Sequence, residues 1–458
     1  MEIQEAINSM KNGKTKGCDN LYAENLKHAH DSLCVLLSLV FNAMIVHGHL
    51  PFKFMKTFIV PIVKDKKENV NMSDNYRPVA VTTVLSKVFE LVVFNRYHAS
   101  LETTCNQFGF KPKLGTEHAI FVLKQVVDFY RTQNSPVYLC FIDLSKAFDR
   151  VNHSLLFKKL LCKNVPAILC RILQIWYSTQ CFVIKWGNCF SKEFYVSNGV
   201  RQGGILSPLL FNIFMDDLSI CLRKAMFGCY FNDECFNHLM YADDTVLLAT
   251  SPFALQQLVN LCIGYFKSHH LVINVKKTKV MALLPFKLKD LYVPDIFVDD
   301  SKVKLVKEEK YLGVTIASDG EDDIAICKEM RSLYARGNML IRKFRECSEP
   351  VKVLLFKNYC TPLYCSSQWS SYRRSTIRAI ETAYNNVFRK LLKLPRRCSI
   401  SACFIEYETP SFKVLRRKLV GNFYKRVLTC SNSLVCAILN CSFFHISTTF
   451  NRWLTVLF

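Results

Sequence analysis

The chain has 458 residues, 50% of them hydrophobic, and carries a formal net charge of +23 from 60 Lys and Arg against 37 Asp and Glu. That length accommodates about two to four subdomains with a sizeable core, and the apolar content excludes a disordered polypeptide. The cation excess points to a polyanionic partner, because Lys and Arg displace condensed counterions from phosphates; a basic protein that is merely soluble and one that contacts an acidic membrane are the other readings that charge permits.

In chain order, residues 1–50 read as two helices. The apolar run Leu33–Val46 is shorter than a membrane span and carries Asn42, which predicts a core helix. A basic loop, Lys64–Asn75, precedes a helix over Val84–Tyr97. The run Val137–Ile142 ends on Asp143 and reads as a buried strand. Helices near 154–163 and 166–177 follow, then strands at 181–186 and 194–197 and a helix at 208–224. A hairpin is centred on Tyr241-Ala-Asp-Asp244, and a helix follows at 253–268. From about 324 onward the signals turn helical and basic, as in Ile377–Leu394. Residues 431–458 are apolar and irregular and take no assignment. The 21 cysteines are odd in number and scattered, and Cys140, Cys162 and Cys170 lie inside apolar runs. They read as reduced core residues of an intracellular protein. Cys436, Cys441 and His445 lack the tight pair spacing of a zinc site. The N-terminus has no signal-peptide pattern, so the expected compartment is nucleus or cytoplasm.

The acidic residues carry the chemistry. Asp243 and Asp244 lie between two apolar runs, Leu239-Met240 and Val246–Ala249. At about 4 Å two like charges repel by about 4 kcal/mol at an effective dielectric near 20. A divalent cation converts that repulsion into ligation, and Mg²⁺ favours carboxylate oxygens; a solvated acidic turn is the simpler alternative. Asp143 at the end of a buried strand adds a third carboxylate, the ligand set of a two-metal phosphoryl-transfer site. Asp149, six residues on, reads equally as a helix N-cap or a partner for Arg150.

An ordered series of motifs then resembles the reverse transcriptases of non-LTR, LINE-like retrotransposons. Lys14-Thr-Lys16-Gly17-Cys-Asp19 with Glu24 and Leu26-Lys27 resembles their N-terminal motif. Ile59-Val-Pro61-Ile-Val-Lys64 and Asn75-Tyr76-Arg77-Pro78-Val79 resemble the fingers. Gln107-Phe108-Gly109-Phe110 resembles the next segment. Gly199-Val-Arg201-Gln202-Gly203-Gly204-Ile-Leu206-Ser207-Pro208 falls between the Asp143 strand and the hairpin. Asn274 with Lys277-Thr278-Lys279, then Tyr311-Leu312-Gly313, complete the order.

The resemblance implies an α+β right-hand polymerase. Its parts would be an N-terminal helical extension (1–50), fingers (51–135), and a palm (136–320) with an antiparallel catalytic sheet packed on helices. A helical basic thumb with the C-terminal region (321–430) and the unassigned tail (431–458) would follow. It implies an RNA-directed DNA polymerase working on an RNA template, a DNA primer and deoxynucleoside triphosphates. Asp143, Asp243 and Asp244 would ligate two Mg²⁺ ions, or Mn²⁺. Lys64 and Arg77 would bind the triphosphate, and Phe148 would exclude a 2′-hydroxyl from the sugar site. Gln202 and Gly203 would line the nucleotide, Lys277 would protonate the pyrophosphate in competition with Lys276 and Lys279, and Tyr311-Leu312-Gly313 would hold the primer end. Among the basic residues Arg373, Arg374, Arg378, Arg389, Lys390, Lys393, Arg396 and Arg397, the pair Arg389 and Lys390 is expected to track the template backbone.

Some positions depart from the family pattern. Lys111 stands where Arg is more frequent, the Lys113-Leu114-Gly115 context is unusual, and Cys18 replaces a Pro often seen near Asp19. The chain starts at the polymerase's own N-terminal motif, so the reading expects a truncated copy without an endonuclease. The alternative function is a remnant or co-opted nucleic-acid-binding protein that does not polymerise. An RNA-dependent RNA polymerase is disfavoured by Phe148 and the Gly199–Pro208 segment.

Overall fold

The computed structural model describes residues 1–66, 68–99, 101–231, 234–285, 292–395 and 397–458. The chain forms two compact units that interleave in sequence, one of residues 1–110, 144–221 and 262–273, the other of residues 111–143, 222–261 and 274–458. The expected segments are consecutive in sequence, whereas compactness groups residues distant in sequence. The fold is α+β, as expected.

In the first unit the strand Lys56–Val63 is the hub of a sheet. It pairs antiparallel with Tyr76–Val81 and parallel with Cys181–Trp186, which in turn pairs with Cys189–Phe190 and Phe194–Tyr195. The expected strand at 194–197 is therefore shorter. Helices Ser32–His47, Phe52–Met55, Val84–Tyr97 and Ala167–Thr179 contribute Phe41, Phe54, Phe89 and Trp176 to one aromatic cluster. Its ring centroids lie 5.1 to 6.4 Å apart, tilted or edge-on, as ring quadrupoles favour.

Two expectations for this unit are corrected. Residues 1–50 hold three helices, Glu2–Ser9, Ala23–Lys27 and Ser32–His47, where the sequence suggested two. The apolar run is helical, but it is not a core helix. Only Leu37, Phe41 and Met44 are buried on it, and Val35, Leu36, Leu39, Val40 and Val46 face outward. A helix that is apolar all round carries no amphipathic stripe to say which side goes in. Cys162 is likewise exposed, while Cys140 and Cys170 are buried.

Beneath the first unit's Gly-rich turn lies a fully desolvated ion pair. The Arg201 guanidinium binds the Glu90 carboxylate, both side chains being at most 1% exposed. The second Glu90 oxygen accepts the Ile205 N–H, and Arg201 stacks 4.2 Å above the Trp176 ring. Glu90 sits mid-helix among apolar neighbours because its charge is answered on the spot.

The second unit is built on a five-stranded sheet in the order Lys304–Leu305, Lys279–Leu283, Val137–Ile142, Asp244–Ala249, His238–Tyr241. All its pairings are antiparallel except the short outer one between Lys279–Leu283 and Lys304–Leu305. Every residue of the central strand Val137–Ile142 is buried, which is why its sequence is continuously apolar and not alternating. Helix Thr116–Thr132 packs on this strand.

The helical part of the second unit packs Phe356, Tyr384, Phe388 and Phe404 around Leu333, Leu340 and Val387. The unassigned stretch 431–458 forms helices Ser433–Leu439, Ser442–Ile446 and Thr448–Leu457. Asn432 and Ser447 cap two of them with side-chain oxygens that accept backbone N–H groups. Trp453 is buried flat on Phe121, and its indole N–H donates to the Ser367 carbonyl at 2.7 Å. Among the described residues no helix is long and apolar enough to cross a membrane.

Removing one partner of a buried ion pair strands the other charge. Glu90→Ala is expected to lower stability by about 3–5 kcal/mol. Arg201→Lys is expected to be damaging too, because an ammonium has no planar face to lie on the Trp176 indole while it pairs with Glu90. Thermal melts of both variants check this, and melting temperatures equal to wild type would contradict it.

Candidate active site

The acidic hairpin is built from strands His238–Tyr241 and Asp244–Ala249, with Tyr241 paired to Asp244 across a two-residue loop. Ala242 has φ of 57° and Asp243 does not share the positive value, the pattern of a type II′ hairpin. A Cβ at that φ costs about 1 kcal/mol relative to Gly. The turn holds because apolar strands on both sides are buried.

Strand Asp244–Ala249 also pairs with Val137–Ile142, Thr245 standing opposite Ile142. Asp143 and Asp244 each lie one residue beyond that pair, at neighbouring strand ends, and Asp243 occupies the loop. Adjacent antiparallel positions are about 5 Å apart between Cα atoms. Asp143 and the adjacent pair Asp243-Asp244, far from it in sequence, thus share one edge of the second unit's sheet. Asp143 is pinned through its backbone: its N–H donates to the Thr278 hydroxyl oxygen at 3.3 Å, and its carbonyl accepts the Asn274 N–H at 2.8 Å. The motif around Asn274 and Thr278 therefore frames the first aspartate.

The donor set consists of hard carboxylate oxygens and suits Mg²⁺ or Mn²⁺. Among the described residues no three His, Cys, Asp or Glu close on a single point. Mg²⁺ commonly takes one or two carboxylates and draws its other oxygens from substrate phosphates, so an open edge is compatible with that ion.

Tyr311 is buried beside this edge, its ring 5.7 Å from Phe141. Burial first, and then the Asp244 charge, push its phenol well above the usual range. Leu312 and Gly313, with φ of 46° and 86°, form the loop between strands Glu308–Tyr311 and Val314–Ala317. Both central residues at positive φ make a type I′ turn. A Cβ on Gly313 would lie 2.9 Å from the Tyr364 ring, and the Tyr364 hydroxyl donates to the Leu312 carbonyl at 2.7 Å. Tyr364, which sequence reading passed over, thus holds the hairpin. A lone Tyr in a Cys- and Ser-rich loop gives no periodic signal by which to find it. Lys277 is exposed, its N–H bonded to the Asn274 carbonyl at 3.1 Å, whereas the Lys279 amine is tied to the Lys276 carbonyl.

In the first unit, Lys64 is exposed and its amine donates to the Asp74 carbonyl at 2.8 Å. The Asp74 carboxylate pairs with Lys146 at 2.7 Å, which holds its pKa below the ordinary value. Arg77 is exposed on Tyr76–Val81, across from Ile62. Phe148 is half-buried and stacks on Phe211, ring centroids 4.5 Å apart and 7° from parallel. Gly203, with φ of 112°, abuts the same strand as Arg77: a Cβ there would lie 2.9 Å from the Ala80 carbonyl oxygen. Its lack of a side chain therefore already serves close packing inside the protein.

Gln202 donates from Nε2 to Asp149 at 3.0 Å. Desolvation raises the Asp149 carboxyl above its ordinary value, and the Gln202 bond and nearby Lys146, Lys64 and Arg150 pull it partly back. The N-cap reading of Asp149 does not fit, since the following helix is capped by Asn152, whose side chain accepts the Leu155 N–H at 3.0 Å.

Arg389 and Lys390 lie on helix Arg374–Leu391 in the second unit. Arg389 is half-buried and donates to the Cys398 carbonyl at 3.2 Å, while Lys390 is exposed. Arg396 lies outside the described residues.

Residues 64–316 match the family described as "Reverse transcriptase (RNA-dependent DNA polymerase)". The chain is 25% identical over 451 residues to the "RNA-directed DNA polymerase from mobile element jockey" of Drosophila funebris, covering 94% of this chain and 48% of that protein. It is 25% identical over 402 residues to the "Probable RNA-directed DNA polymerase from transposon X-element" of Drosophila melanogaster, covering 85% and 43%. The chain thus spans about half the length of the curated relatives it matches. Apo telomerase of Candida tropicalis aligns over 93% of this chain and 67% of its own, at 12% identity and a TM-score of 0.45.

Tyr364→Phe removes the hydroxyl's bonds to the Leu312 carbonyl and to the Thr116 hydroxyl and is expected to cost about 1–2 kcal/mol. Gly313→Ala adds a Cβ against the ring at a strained φ and is expected to cost more. Chemical denaturation of the two variants checks the ranking; equal stability of Gly313→Ala and wild type would refute the contact.

Proposed function

Because the chain belongs to the reverse transcriptase (RNA-dependent DNA polymerase) family, we propose that it adds deoxynucleotides to a primer 3′-hydroxyl under direction of an RNA template. The observation that carries this reading is the strand register that brings Asp143 alongside the Asp243-Asp244 turn. Those carboxylates would hold the divalent ions. Bound there, two Mg²⁺ ions lower the pKa of an attacking hydroxyl and neutralise charge on the phosphate under attack.

The chain's own residues supply the rest. Lys64 and Arg77, both exposed, offer cations to the triphosphate, Arg as a two-pronged donor and Lys as a point charge. Charge that builds on the leaving phosphates is stabilised by such fixed cations. Phe148, braced by Phe211, cannot yield space to a 2′-hydroxyl, so it selects deoxyribose by exclusion. Gln202 and Gly203 line the nucleotide. Lys277, exposed like its competitor Lys276 while Lys279 is tied back, is the residue assigned to protonate the departing pyrophosphate. The Tyr311-Leu312-Gly313 turn holds the primer end, and positioning of this kind is worth several kcal/mol of barrier. Lys390, with Arg389 as its half-buried neighbour, contacts template phosphates.

Primer extension on poly(rA)·oligo(dT) with Mg²⁺ or Mn²⁺ tests this reading. Wild type is expected to incorporate dTTP and Asp243→Asn to lose at least about a hundredfold in rate. Phe148→Val is expected to admit UTP. A folded wild type that binds template without extending it would point to the non-polymerising alternative. Reversing the charges of Arg389 and Lys390 is expected to weaken template binding and flatten its dependence on salt, as titrations at several ionic strengths would show.

A further inference from the structure

Asp149 has no part in the chemistry described above and is exposed, yet the backbone around it in the first unit is pinned by hydrogen bonds. The Val200 N–H donates to the Phe148 carbonyl at 2.8 Å, and the Gly199 N–H donates to the Val151 carbonyl at 2.8 Å. Asn152 and Asn198 form a further backbone bridge. These bonds zip the segment carrying Gln202 onto the segment carrying Phe148 and Asp149. The main chain of Gln202 is fixed separately, its carbonyl accepting the Ala80 N–H at 2.7 Å. The Gln202 side chain is held by its bond to Asp149.

That bond has a polarity. A carboxylate only accepts hydrogen bonds, so the NH₂ end of the carboxamide must face Asp149. The assignment of nitrogen and oxygen, ordinarily ambiguous for an amide, is settled here by the charge of its partner. Oε1 is then turned away from Asp149, with both lone pairs available as acceptors. An apolar residue at position 149, which offers no acceptor, would let the amide flip or swing.

We propose that Asp149 is a positioning residue, holding the Gln202 carboxamide so that its carbonyl oxygen is presented to the incoming deoxynucleotide. The proposal rests on the polymerase reading above and on Gln202 lining the nucleotide. It predicts an effect on nucleotide binding that passes through Gln202 and not through the fold.

Steady-state incorporation of dTTP on poly(rA)·oligo(dT), with thermal melts of each variant, tests it. Asp149→Ala is expected to raise the KM for dTTP about tenfold, the worth of one charge-assisted hydrogen bond, while kcat stays within about threefold. Asp149→Asn retains an acceptor for the amide and is expected to recover most of the loss. Gln202→Ala should match Asp149→Ala, and the double variant should be no worse than either single one, since residues acting as one unit are not additive. Effects of the two substitutions that multiply, or an Asp149→Ala KM equal to wild type, would overturn the proposal while leaving the polymerase reading intact. Should Asp149→Ala melt early, the comparison of Asp149→Asn with wild type and with Gln202→Ala decides in its place: a folded Asp149→Asn as weak in KM as Gln202→Ala overturns it. A wild type that incorporates nothing overturns both.

Discussion

A buried guanidinium and a buried carboxylate that cannot part company set the geometry of the first unit. Taking either charge out of water costs several kcal/mol, and only the partner and its hydrogen bonds return that energy. Glu90 therefore fixes Arg201 and the Ile205 amide together, and the intervening turn has little freedom left. Trp176 seals the pair from above. From this anchor the Gln202 carbonyl reaches strand Tyr76–Val81, and Gly203 lies against the same strand too closely for a Cβ. A mobile loop could not keep Gln202 at one distance from Asp149; an anchored one can.

In the second unit the equivalent constraint is strand pairing. In a central strand buried on both faces, a slip of one residue would exchange the side chains of the two faces and upset close packing on each. The register kept in this way sets Asp143 beside the aspartate hairpin. The price of the arrangement is conformational: Ala242 and Leu312 both sit at positive φ in two-residue turns, where Gly would be at ease. Strain at residues that flank reactive groups persists only when the surrounding sheet over-determines it.

Several features were legible because they follow from local chemistry. A continuous apolar run with a terminal acid gave the strand Val137–Ile142, and the helices Val84–Tyr97 and Pro252–Ser268 formed where they were expected. The helix Ser32–His47 was placed in chain order but on the wrong side of the surface, since uniform hydrophobicity carries no direction. The terminal helices escaped notice because each is short and stabilised by contacts with Phe121, Gln125 and Ser367, remote in sequence. Their signals were small: an Asn or Ser placed just before a few apolar residues.

Residue type and order by themselves determined the class of chemistry: carboxylates for hard cations, an aromatic five residues past the first of them, and cations before it. They also determined the family, since motif order along a chain is a one-dimensional property. Only the tertiary structure decided which groups meet. The partners of Arg201, Asp149 and Leu312 lie 111, 53 and 52 residues away. Interactions across such distances are selected by the packing of whole elements and the loss of water around them. No local propensity encodes that outcome, because burial is a property of the assembled fold.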